Sequence, residues 1–222
     1  MSINRNQRVL LVVNQLTQGV SENDRWLYRF IENSGQGTVR GILADDYREL
    51  VTLSDQSATK ERFLNALQTL GAQPTVRAID VILMLHGTTN HLFFHNGVYQ
   101  TAVLAAEIAA LSLSAKLRLA YSTACYGASH TDDLVRAGFT TAIGAVGVNA
   151  NAAAEFPVLL QLWSVGWQIK DALAAGESPL TRFPADEAAR IYARTNNAPW
   201  ADEVNSDKVL RGNDRIRITS EL

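Results

Sequence analysis

Residues 117–127, LRLAYSTACYG, carry an apolar, alternating run into the only cysteine of the chain, Cys125. Short apolar runs bounded by small or glycine-bearing loops read as buried strands. A strand over Leu117–Thr123 is therefore expected, delivering Cys125 to a loop that closes at Gly127. In open α/β sheets, ligands bind outside the carboxyl ends of the strands, so chemistry is sought first in that loop.

Upstream, Ala78–Leu85 (AIDVILML) is the strongest strand signal and ends in His86-Gly87. Arg8–Asn14 (RVLLVVN) reads as another buried strand and Arg48–Ser54 (RELVTLS) as a weaker one. Between these two, Ser21 with Asp24 three residues on resembles a helix cap. Trp26, Leu27, Phe30 and Ile31 then recur at helical spacing and are expected in the core. Ala58–Leu70 is a second amphipathic helix, with Phe63, Leu64, Leu67 and Leu70 on one face and Gly71 at its end. Strand, helix, strand, helix, strand implies right-handed crossovers and a mostly parallel sheet with helices on both faces. His91–Thr101 is predicted to form a hairpin turning at Asn96-Gly97, and Ala102–Leu113 a helix.

Downstream of Cys125, a helix capped by Ser129 or Thr131 closes at Gly138. Thr140–Val148 is a further buried strand, and a long helical segment and a last short helix over Arg182–Asn196 follow. RIRIT (Arg215–Thr219) is predicted as an edge strand, which would permit sheet-to-sheet pairing in a homodimer.

The chain has 222 residues, 47% of them apolar, without repeats or linker-like runs, so one domain spanning 1–222 is expected. A net charge of −2 offers no basic surplus for nucleic acid. No apolar run reaches the roughly 20 residues of a membrane span, and the N-terminal apolar run is too short for a secretory signal. One cysteine cannot form an intrachain disulfide, and a reduced thiol fits a soluble, cytoplasmic protein.

His86 and Cys125 fall at the ends of two strongly apolar strands that a crossover can place side by side. A free thiol is mostly protonated at neutral pH, and a neighbouring imidazole can accept its proton as it attacks. The same ring can protonate a leaving amine, and Gly87 and Gly127 let backbone N–H groups approach a developing oxyanion. His91 and His95 are read as hairpin surface residues, and no metal or organic cofactor is expected. His130 is placed near a helix start. Asp45-Asp46 reads as a solvated loop, with an acidic specificity pocket as the alternative. Asn149 and Asn151 sit at the end of the strand after the cysteine helix and are assigned to substrate binding, lining the cleft.

His86-Gly87 after a strand, a hairpin, then Thr123-Ala124-Cys125-Tyr126-Gly127 after the next strand resembles the caspase-like cysteine peptidases. That group includes caspases, metacaspases, gingipains, clostripain and the bacterial CHAT peptidases. The stretch AGFTTAIGAVGVNANAAAEFPVLLQLW is similar to the segment that follows the cysteine in the bacterial members, and the resemblance runs from about Arg8 to about Ala175. It implies a three-layer α/β/α sandwich and a protein or peptide substrate bound as an extended strand. It further implies a catalytic dyad of His86 and Cys125, an oxyanion hole from the N–H groups of Gly87 and Cys125, and a thioester acyl-enzyme. Of the caspase signature Q-A-C-[RQG]-G only A-C-x-G is matched. Thr123 stands at the position the family uses for specificity, with neither amide nor charge, so cleavage after Asp, Arg or Lys does not carry over. Two other readings stay open: a catalytically inactive caspase-fold regulatory module, and a flavodoxin-like ligand-binding domain.

Overall fold

The computed structural model describes residues 2–22 and 24–221; Met1, Asn23 (inside the expected cap segment) and Leu222 lie outside them. The strands are β1 (Arg8–Gln15), β2 (Glu49–Ser54), β3 (Ala78–Thr88), β4 (His91–Phe94), β5 (Gly97–Gln100), β6 (Leu117–Ser122), β7 (Thr141–Ala145) and β8 (Lys208–Gly212). The helices are α1 (Arg25–Leu43), α2 (Lys60–Ala72), α3 (Thr101–Ala110), α4 (Ala128–Arg136), α5 (Ala152–Ser164), α6 (Ile169–Gly176) and α7 (Pro179–Thr195).

The sheet runs β2-β1-β3-β6-β7-β8. All neighbours are parallel except β7 and β8, and the β4–β5 hairpin extends from the end of β3. Alternation along β1 shows why both faces must be covered. Val9, Leu11 and Val13 join one core with Phe63 and Leu67 of α2, Leu104 and Ile108 of α3, and Leu134 of α4. Leu10 and Val12 join the other with Val39 and Leu43 of α1, Phe156 and Trp163 of α5, and Ile169 of α6. A strand buried on both faces has no polar alternation to show, which is why these runs read as continuously apolar. The result is an α/β/α sandwich with a mostly parallel sheet.

Several expectations are corrected. Trp26 and Phe30 are 71% and 66% exposed. Helix α1 continues through Ser34-Gly35-Gln36-Gly37 to Leu43, and it is the distal half, at Val39 and Leu43, that packs on the sheet. The edge strand is β8, not Arg215–Thr219. Ile216 and Ile218 alternate because both are buried beneath Trp163, while Arg8 and Arg118 donate to the Ile218 carbonyl. The hairpin turns at His95-Asn96, one position early. Helix α4 begins at Gly127 without a side-chain cap; the Ser129 and Thr131 hydroxyls donate to the Tyr126 and Ala128 carbonyls instead. Asp45-Asp46 precedes β2 and so lies at the amino edge of the sheet, away from His86 and Cys125; Asp46 pairs with Arg8 and accepts from Ser164. A specificity pocket there has no structural basis.

The same amino edge holds a buried ionic cluster. Arg118 grips Asp80 through Nε (3.0 Å) and Nη2 (2.6 Å), and the Tyr47 hydroxyl donates to the same carboxylate at 2.5 Å. The cluster lies across a register shift between β3 and β6 at Ile79/Asp80.

Candidate active site

At the carboxyl edge, β3 and β6 run side by side with Leu83 opposite Ser122. His86 and Cys125 are each the third residue beyond that pair. The Thr123 N–H donates to the Leu83 carbonyl at 2.9 Å, which carries the pairing into the cysteine loop. The two segments then touch through backbone: a Cβ on Gly87 would lie 2.9 Å from the Cys125 carbonyl oxygen and 3.0 Å from both Ala124 Cβ and His130 Cε1. Any side chain at position 87 would push the histidine strand off the cysteine loop, so the glycine is a packing requirement of the site.

Cys125 sits in a strand–turn–helix arrangement. Tyr126 follows it with φ of 55°, in the left-handed region that non-glycine residues reach only at a cost. Its N–H is tied to the Gly147 carbonyl at 2.8 Å, and Gly127 then opens α4. The turn is sharp because Gly127 lies directly on Gly144 of β7: a Cβ on Gly144 would stand 2.3 Å from the Gly127 carbonyl carbon. The Cys125 N–H donates to no other residue's acceptor among those described.

The imidazole of His86 is oriented by the chain after β1, its Nε2 lying 2.6 Å from the Leu16 carbonyl. A carbonyl only accepts, so Nε2 carries the proton and Nδ1 is left with a lone pair. The Leu16 and Thr17 N–H groups are in turn held by the buried Glu32 carboxylate of α1. Tyr28, also on α1, sets its ring against His86, centroids 5.0 Å apart at 61°. Burial raises the Tyr28 phenol pKa, and the nearby Cys125 raises it further. Sequence periodicity did not single out Tyr28; its signal was its place on the face opposite the exposed Trp26 and Phe30.

Burial pushes the Cys125 thiol up; the Asn149 N–H, its own N–H and the Lys208 charge act against it. Burial pushes His86 down, opposed by its bond to Leu16. Both shifts favour a neutral thiol and a neutral imidazole at rest.

The remaining predicted residues separate. Thr123 is half-buried, and its carbonyl accepts from Asn149 Nδ2 at 2.9 Å. Asn151 is fully buried at the start of α5, with its N–H on Ser206 Oγ and its side-chain amide unpartnered among the described residues. It does not line an open cleft, because the chain at Ser206 covers it. His130 is fully buried, and its Nε2 contacts the Thr88 carbonyl at 2.9 Å, bracing the end of the histidine strand. His91 lies on the hairpin, and no group of three or more metal-binding side chains occurs among the described residues.

No protein-family model and no curated protein matches the sequence. Solved structures do match. One is gingipain R, an Arg-specific cysteine proteinase, with a TM-score of 0.61 and 11% identity over 97% of this chain. This chain spans 48% of that one. Another is caspase-1 from Spodoptera frugiperda, with a TM-score of 0.61 and 9% identity over 98% of this chain and 92% of that one. The fold is that of the caspase-like cysteine peptidases. No helix among the described residues is long and apolar enough to cross a membrane.

Proposed function

We propose that this chain is one peptidase domain that hydrolyses peptide bonds through a Cys125–His86 dyad. The observation that supports it most is the placement of His86-Gly87 and Ala124-Cys125 in backbone contact at the carboxyl edge of two paired parallel strands, with the imidazole tautomer set by Leu16. The fold shared with gingipain R and a caspase supports peptides as the substrate class.

In this mechanism Cys125 Sγ attacks the scissile carbonyl carbon while His86 Nδ1 takes the thiol proton. The carbonyl oxygen becomes an oxyanion, held by the N–H groups of Cys125 and Gly87, each such donor contributing roughly 3–4 kcal/mol. His86 returns the proton to the leaving amine, the C–N bond breaks, and a thioester remains. Water then attacks the thioester with His86 as base, releasing the acid and restoring the thiol. Thr123 at the start of the cysteine loop and Asn149 after β7, joined through the Thr123 carbonyl, contribute to substrate recognition.

One observation favours a second reading, a catalytically silent module of the same fold: the Tyr28 ring is packed on the His86 imidazole, centroids 5.0 Å apart. A peptide-library cleavage profile with a Cys125→Ala control separates the two. Cleavage by the wild type and none by the variant is expected; equal profiles for the two would sink the peptidase reading.

A further inference from the structure

Under the Cys125 loop lies a buried polar group that the dyad does not use. Lys208 and Glu155 both have fully buried side chains, with Nζ 3.6 Å from Glu155 Oε2. Lys208 Nζ also donates to Asn149 Oδ1 at 3.1 Å and to the Ser206 carbonyl at 3.2 Å. The Asn149 amide in turn donates to the Thr123 carbonyl at 2.9 Å, two residues before the cysteine.

A buried ammonium is expensive, by several kcal/mol even after the structure relaxes, and one carboxylate at 3.6 Å repays this only with good geometry. The repayment here is incomplete. Glu155 Oε2 is shared with the Tyr121 hydroxyl, and Glu155 Oε1 has no partner among the described residues. Replacing both members of such a pair by apolar residues of similar volume is often neutral or stabilising, so stability alone does not account for the pair.

We propose that Lys208 is a positioning residue for the Cys125 nucleophile, acting through Asn149 to hold the cysteine loop and to favour the thiolate as it forms. This rests on the reading of Cys125 as the nucleophile. The relay is short: the β8 ammonium, the Asn149 amide and the Thr123 carbonyl, two residues before the cysteine. The other ionisable groups around it are Glu177 beyond α6, with Arg182 of α7 behind it, facing Lys208, and Tyr28 of α1, facing the sulfur. His86 precedes Gly87 on β3, and His130 Cε1 of α4 would lie 3.0 Å from a Cβ at position 87.

Because the chain has one cysteine, alkylation reads that thiol alone. The rate of modification by iodoacetamide is followed against pH for the wild type, Lys208→Met and Asn149→Ala. Thermal melts confirm that each variant is folded, and Asn149→Ala carries the test if Lys208→Met does not fold. Loss of a nearby cation raises a thiol pKa by about one unit, or about tenfold less thiolate below both midpoints. Lys208→Met removes the charge and Asn149→Ala cuts its link to the Thr123 carbonyl, so both variants are expected to move the titration midpoint upward. A merely structural role would lower the rate at every pH and leave the midpoint in place. A folded variant whose midpoint coincides with the wild type overturns the inference. Peptide cleavage fails independently: its absence removes the peptidase reading, whereas an unmoved midpoint with cleavage intact removes only the role of Lys208.

Discussion

At the scale of single residues, the site rests on an imidazole with one nitrogen committed and one free. Replacing His86 by Gln removes the proton carrier and is expected to lower kcat by about 10²–10⁴-fold while leaving the fold intact, as steady-state peptide hydrolysis would show. Burial holds the His86 pKa below its ordinary value, so the base stays neutral into mildly acidic solution. The acid limb of kcat/KM is therefore expected below the usual histidine range; a limb above it would contradict the assignment of His86 as base. Gly87→Ala places a methyl 2.9 Å from the Cys125 carbonyl. A displacement of about 1 Å between reacting groups can cost about 10²-fold, and that loss is expected in kcat/KM without a comparable loss of melting temperature. His86, Gly87 and Cys125 were legible because each ends an apolar run. Lys208, Tyr28 and the Leu16 carbonyl were not, because their parts depend on contacts across the sheet that no local pattern encodes.

Among elements, the cysteine loop depends on β7. Gly144 lets the Gly127 backbone lie directly on that strand, which bends the chain from β6 into α4 within a few residues. Gly144→Ala is expected to reduce both thermal stability and iodoacetamide reactivity of Cys125, since the contact it breaks is backbone on backbone; unchanged alkylation would show that the loop does not need this approach. The strands themselves could be read from the sequence because burial on both faces leaves an unbroken apolar run. Amphipathic pattern misled in two places for one reason. In α1 the apolar stripe was assigned to the first turns, whereas the helix docks by Val39 and Leu43. In Arg215–Thr219, alternation came from two isoleucines filling the core under Trp163, not from strand pairing. Period alone does not say which neighbour a side chain will meet.

For the molecule as a whole, the two edges of the sheet divide the labour. The amino edge is locked by Asp80, Arg118 and Tyr47, and the carboxyl edge carries the proposed dyad. Arg118→Met strands a buried carboxylate and is expected to cost about 3–5 kcal/mol in urea unfolding, because breaking one side of a buried pair leaves an uncompensated charge. The alternating order of strands and helices made the sandwich legible, while its antiparallel β8 was missed because its burial is partial and its lysine reads as polar surface. The central claim is that Cys125 is an activated nucleophile with His86 as its partner, and it is tested most directly by covalent capture. A peptidyl acyloxymethyl ketone is incubated with the wild type, Cys125→Ala and His86→Gln, and the adduct is located by peptide mass mapping. The account predicts a single adduct on Cys125, none in Cys125→Ala and a strongly slowed reaction in His86→Gln. An adduct that forms equally fast in His86→Gln, or none at Cys125 in the wild type, would contradict it.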